Sequence, residues 1–83
     1  MNEKPQPVAI EWIDCNSSDG GWYSKEDVEK HDVTKCVDLC FIYKQDDIRT
    51  VTYASYNYSE DGIMDYGFLS AIPTSWITKI TKL

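Results

Sequence analysis

Apolar and polar residues alternate through most of this chain, and the phase of that alternation marks its elements. In "VAIEWI", Val8, Ile10 and Trp12 face one way and Ala9, Glu11 and Ile13 the other, which predicts a half-buried first strand. A polar loop rich in Asp, Asn, Ser and Gly follows. Ser24 then stands three residues before Asp27, a capping-box start for a short acidic helix over "KEDVEKH". That helix hides little more than Val28 and reads as a lid.

From Val33 to Tyr43 the period returns to two, with Val37, Leu39, Phe41 and Tyr43 on one face and Cys36, Asp38, Cys40 and Ile42 on the other. "KQDD" reads as a turn and "IRTVTYAS", rich in β-branched residues, completes a hairpin at the centre of the sheet. "YNYSEDG" is a polar turn cluster, and "GFLSAI" is a further strand stopped at Pro73. In "IPTSWITKITKL" the apolar residues sit at helical spacing, but the threonines and isoleucines prefer extended chain. One 3₁₀ turn at Pro73-Thr74-Ser75 followed by a closing strand is expected. The pattern predicts a mainly β protein with one short helix: a small, partly open antiparallel β-barrel of SH3-like kind with four or five strands.

Composition sharpens this picture. Residues 1–7 ("MNEKPQP") form a flexible leader and residues 8–83 one small domain, near the size at which only about 60% of the unfolded surface is buried. Three Trp, six Tyr and two Phe supply ample core material. The net charge of -6 argues against nucleic acid or an anionic membrane as partner. All acids lie between Glu3 and Asp65, and the stretch after Tyr66 carries only Lys79 and Lys82. The start lacks the apolar core of a signal peptide and no run is long enough to span a bilayer, so a cytoplasmic protein is expected. Three cysteines do not make a closed disulfide framework.

Candidate chemistry is thin. Asp14, Asn16 and Ser18 have the oxygen spacing that opens a calcium loop, but Asp19 and Lys25 occupy the positions that need Gly and a bidentate acid. The bland account is a loop of local side-chain turns with Gly20-Gly21 reversing the chain. Cys36 and Cys40 lie about 13 Å apart on a strand, too far to share a zinc ion, and read as small buried side chains. His31 ends a helix and nothing pairs it with a thiol. The expectation is no metal, no cofactor and no catalytic residue.

Aromatic residues beside turns remain. Trp22, Tyr23, Tyr53, Tyr56 and Tyr58 are the candidate binding residues, since Tyr and Trp anchor recognition surfaces, and acids nearby suit a cage for a cationic side chain. Trp12 and Trp76 are expected in the core, with Trp22 partly exposed at the mouth of the barrel.

The segments "VAIEWIDC", "GWYSKEDV", "CVDLCFIYKQDDIRTVTYA" and "IPTSWITKITKL" resemble a group of small uncharacterised proteins of bacteriophages and prophages. That group has a V-x-W-x-D-S opening, a G-W loop and a terminal IP-x-x-x-I-x-x-I. Here Cys15 replaces the Ser, and Cys36-Val37-Asp38 stands where the group has an SVG-like central strand. The resemblance implies a phage-type accessory protein in the host cytoplasm. Together with the aromatics it points to a non-catalytic module that binds a host protein and modulates or inhibits a host or defence protein. Two other classes are open: a small-molecule or nucleotide-signal binder that sequesters its ligand, with Trp22 and Tyr23 stacking on a ring and the amides of Gly20-Gly21 offered to an anion, and a self-associating structural component, dimerised by pairing "IRTVTYAS" as an edge strand.

Overall fold

The fold is set by which row of each strand turns inward. The computed structural model describes residues 4–83. Strands β1 (Pro7–Asp14), β2 (Thr34–Gln45), β3 (Arg49–Tyr53), β6 (Ser70–Pro73) and β7 (Ile77–Lys82) form one antiparallel sheet in the order β6-β3-β2-β1-β7. Strands β4 (Ser55–Ser59) and β5 (Gly62–Gly67) pair as a separate ribbon. The only regular helix among the described residues is α1 (Lys25–Lys30). Of the expected leader, residues 1–3 lie outside the described residues, while the Gln6 amide donates to the Leu83 carbonyl at 3.0 Å.

Residues paired across antiparallel strands share a face, so the register sorts the side chains. Val8 opposes Cys40, Ile10 opposes Asp38 and Trp12 opposes Cys36. Across β2 and β3 Ile42 opposes Thr52, and across β3 and β6 Thr50 opposes Ile72. These residues make the inner face, and its buried members Val8, Ile10, Cys40 and Ile72 form the core with Trp12, Ile42 and Ile77 packed against it. Ile10 is 0% exposed, and burying such a side chain stabilises by about 1.5–3 kcal/mol. Polar members are satisfied in place: Trp12 Nε1 donates to Asp38 Oδ1 at 3.2 Å, and Thr50 Oγ1 receives the Gln45 amide at 2.9 Å. On β2, the Cys-Asp-Cys-Ile row is therefore inside and the more apolar Val-Leu-Phe-Tyr row is outside.

Consecutive strands β6 and β7 lie on opposite edges of the sheet and are joined by a single 3₁₀ turn, Thr74–Trp76. Thr74 holds that turn to the β2–β3 connection, its N–H donating to the Ile48 carbonyl at 3.1 Å and its hydroxyl to the Asp46 carbonyl at 2.7 Å. The sheet curls but does not close: among the described residues no backbone pairing joins β6 to β7.

Several expectations change here. "IRTVTYAS" is not an edge, because β3 is flanked by β2 and β6, and the free edges belong to β6 and β7. The same segment breaks at Ala54, after which "SYNYS" continues as β4 rather than as a turn. "GFLSAI" is likewise broken at Phe68, which adopts φ 54°. The two breaks face each other, so residues 49–73 form one long hairpin bent at its middle, and the Ala54 N–H bonds to the Gly67 carbonyl (3.0 Å) across the bend. Gly67 leaves space there: a Cβ would lie 2.5 Å from Ser55 Oγ, and that hydroxyl would have to rotate away. At the tip Gly62 takes φ 117° to turn the chain. Trp76 is exposed and Trp12 half-buried, because each sits where the curled sheet ends rather than under a second layer. Helix α1 has its capping box, Ser24 Oγ accepting from the Asp27 N–H, but none of its residues is buried, Val28 included.

The protein extends over 59 × 23 × 21 Å with a radius of gyration of 17.2 Å, against about 12 Å for a compact chain of this length. Its accessible surface is 6666 Å², where about 5,100 Å² is typical of a compact protein of this mass. The excess surface belongs to the outer face, the bent hairpin and the segment of residues 15–33, which is exposed throughout.

Candidate binding surface

The outer face begins with β2. Val37 and Leu39 are 62% and 68% exposed, and their opposite residues Glu11 and Ala9 leave them uncovered. Further along the same row, Phe41 opposes Tyr53. There the bend lays the β4–β5 arm against the sheet. Tyr56 and Tyr66, paired across the arm, bring their rings down onto that row.

The result is a connected cluster of six rings. Phe41 stacks on Tyr53 with centroids 5.2 Å apart, and Tyr56 meets Phe41 edge-on at 5.5 Å. Tyr66 stands perpendicular to both Tyr53 (4.8 Å) and Tyr43 (5.2 Å), and Tyr58 follows Tyr56 at 6.1 Å. Edge-to-face contacts of this kind contribute about 0.5–1.5 kcal/mol each beyond burial. Burial, then the neighbouring Tyr66 and Tyr56, pushes the Tyr53 hydroxyl above its ordinary pKa.

Between arm and sheet lies a shallow concavity of about 330 Å³, walled by Tyr43, Tyr53 and Tyr66 with Val51, Met64, Asp65 and Leu69. Leu69 and Met64 in its walls are exposed, as is Phe68, the residue before Leu69. Phe68 holds a left-handed backbone that costs a non-glycine residue about 1–2 kcal/mol, while its side chain is 82% exposed. A strained, solvent-facing Phe beside an aromatic pocket is a feature that folding alone does not call for.

Of the residues singled out by sequence, Tyr53, Tyr56 and Tyr58 thus come together, Tyr53 as a buried support and the other two on the surface. Trp22 and Tyr23 do not join them. The loop holding them leaves the sheet at the Asp14–Thr34 end, about 23 Å along β2 from Phe41. Trp22 is 102% exposed, and Tyr23 donates its hydroxyl to Asp19 and lines a small recess with Ser18, Val28 and His31. The Gly21 N–H is occupied by Asp19 Oδ1 at 3.0 Å, which places a carboxylate where an anion would have to bind. Together these bonds, that from Tyr23 foremost, hold the Asp19 carboxyl below its ordinary value.

Phe41, Tyr43 and Met64 are members that the sequence does not single out, and Tyr66 stands there only as one of the aromatics in excess of the core. Their signal was the alternation of Tyr56 and Tyr58 with small polar residues up to Glu60-Asp61-Gly62, which is a hairpin pattern.

Other chemistry is not assembled. Among the described residues no three His, Cys, Asp or Glu side chains converge on a common point. His31 Nε2 donates to the Asn16 carbonyl at 2.5 Å. Burial raises the Cys40 thiol pKa, with Asp38 adding to it, and desolvation followed by Asp14 and Asp38 raises that of Cys36. Thiols shifted upward are poor nucleophiles. No described helix is long and apolar enough to cross a membrane.

The chain matches no family model, no curated protein and no solved structure.

Proposed function

We propose that this protein is a non-catalytic protein-binding module, of the phage-type accessory class its motifs resemble, that modulates or inhibits a host or defence protein. It docks through the outer face of its sheet. The observation that carries this reading is the reversed placement of β2, whose Val37-Leu39 row points to solvent while Cys36, Asp38 and Cys40 point inward. Contiguous apolar surface of this kind marks interaction sites. The curl of the sheet, with β6 and β7 joined by one 3₁₀ turn, supports a partly open SH3-like barrel whose outside is that face.

Charge favours a heteromeric partner over a second copy. By strand alternation the outer face carries Lys35, Lys44, Arg49 and Lys79 against Glu11, in a chain of net charge -6. Two copies laid face to face would oppose cation to cation, whereas an apolar patch with an acidic rim is complementary. The test is Leu39→Asp, an exposed substitution that leaves folding intact. The partner captured from host lysate is purified and its affinity measured directly. A loss of at least about tenfold, 1.4 kcal/mol, is expected. Unchanged affinity overturns this reading, as does a micromolar dimer in light scattering that Leu39→Asp dissociates.

A further inference from the structure

The concavity under the arm has a chemistry of its own, and we infer that it takes the guanidinium or ammonium group of a basic side chain presented by the partner polypeptide. The inference rests on the protein-binding reading above and names what the partner must carry. Three features support it.

The walls are ring surfaces. Tyr43 and Tyr66 meet at 83° with centroids 5.2 Å apart, and Tyr53 closes the back. Both front rings are well exposed. A cation within about 6 Å of such a centroid is attracted by the electron-rich ring face. A third side, Asp65, is acidic.

The charge of the arm over the pocket has one sign. Residues 54–69 contain Glu60, Asp61 and Asp65 and no Lys or Arg. Over the rest of the outer face the signs are opposite, with four cations to one acid. The partner therefore meets a basic region and an acidic one on the same surface.

No cation of the chain itself occupies the site, since no Lys, Arg or His lines it. Lys44 and Arg49, the cations on the strands that form its floor, are not among its lining residues. The ring faces remain available. An apolar side chain would gain from burial alone and make no use of Asp65 or of the field of the arm.

The test uses the labelled full-length chain and three short blocked peptides, Gly-Gly-X-Gly-Gly, with X arginine, its neutral isostere citrulline, or norleucine. The arginine peptide should shift the Tyr43 and Tyr66 ring signals and the Met64 methyl, saturably and less at high salt. Citrulline and norleucine peptides should bind at least about fivefold more weakly, or 1 kcal/mol. Tyr66→Leu should abolish the shifts at Tyr43, and Tyr43→Leu, at an exposed position, covers the case in which Tyr66→Leu fails to fold. Equal binding of the three peptides, or no response at Tyr43 and Tyr66 up to ~10 mM arginine peptide, overturns the inference. The outcomes separate from those above: a partner lost with Leu39→Asp but peptides that do not discriminate leaves the docking face standing without its cation pocket. Discriminating peptides with a partner indifferent to Leu39→Asp leaves the pocket without the face.

Discussion

The β4–β5 arm and the loop of residues 15–33 look alike in sequence, each with aromatics set among Ser, Asn, Asp and Gly, yet they fold by different rules. In the arm Tyr56 and Tyr66 are locked opposite each other by backbone pairing, and both rings reach a row of the sheet that already holds Phe41, Tyr43 and Tyr53. In the loop Trp22 has no cross-strand partner, and its neighbours are tied by short-range bonds: Tyr23 to Asp19, Ser24 to Asp27, His31 to Asn16. An aromatic residue becomes structure when the register supplies a second ring at the right height. Without one it stays in water.

The largest expected effect separates the two regions directly. Tyr53→Ala removes a ring that is 4% exposed and touches Phe41, Tyr56 and Tyr66. It should cost about 3–5 kcal/mol in urea denaturation, while Trp22→Ala should stay within about 0.5 kcal/mol. Similar losses would end the distinction.

A smaller effect tests the bend that brings the arm down. Phe68→Gly relieves the left-handed backbone and gives up little burial, so stability should rise by about 1 kcal/mol. A fall would mean that the Phe68 side chain holds the bend despite its exposure. Partner binding should weaken in the same variant, measured on the purified pair, because the protruding ring is lost.

The smallest effect is in acid. Asp46 and Asp19 both have lowered carboxyl pKa values, Asp46 through the N–H groups of Arg49 and Ile48, Asp19 through Tyr23 and then Gly21. A carboxyl lowered by folding contributes stability that is present above its unfolded value, about 4, and is lost as pH falls through the lower folded value. Asp46 closes the turn between two sheet strands, so Asp46→Asn should flatten the acid limb of global unfolding below about pH 4. Asp19 is bonded to Gly21 and Tyr23 in a loop that no strand pairing holds, so those bonds should persist in part when the sheet unfolds, and Asp19→Asn should flatten that limb less than Asp46→Asn. If the two variants behave alike, the loop is coupled to the sheet more tightly than its contacts show.

Period two made β1 and β2 legible from residues, since Val8, Ile10 and Trp12 could belong to no helix, and Ser24 with Asp27 gave the start of α1 to the residue. The 3₁₀ turn and closing strand were legible too, one residue out at the turn. The arm was not, because "YNYSEDG" has both the composition of a turn and the alternation of a strand, and the two signals point to different structures. Of the candidate binding residues, the three tyrosines of β3 and β4 converge and the two in the loop do not. Only pairing distinguishes them.

What the sequence determined by itself is local: the alternation that makes strands, the cap that starts a helix, the Gly62 turn, the segregation of acids from the last eighteen residues. Which face of β2 is the inside was decided by the tertiary structure. Both rows can be buried, and the Val-Leu-Phe-Tyr row is the more apolar, so transfer energy alone would have chosen it. The concave face of a small curled sheet is narrower than its convex one, which favours the row of Cys and a hydrogen-bonded Asp38 beside Ile10 over the bulkier Leu39, Phe41 and Tyr43. Their exclusion leaves the apolar row in solvent, and only the bent arm, arriving from residues 54–69, covers part of it.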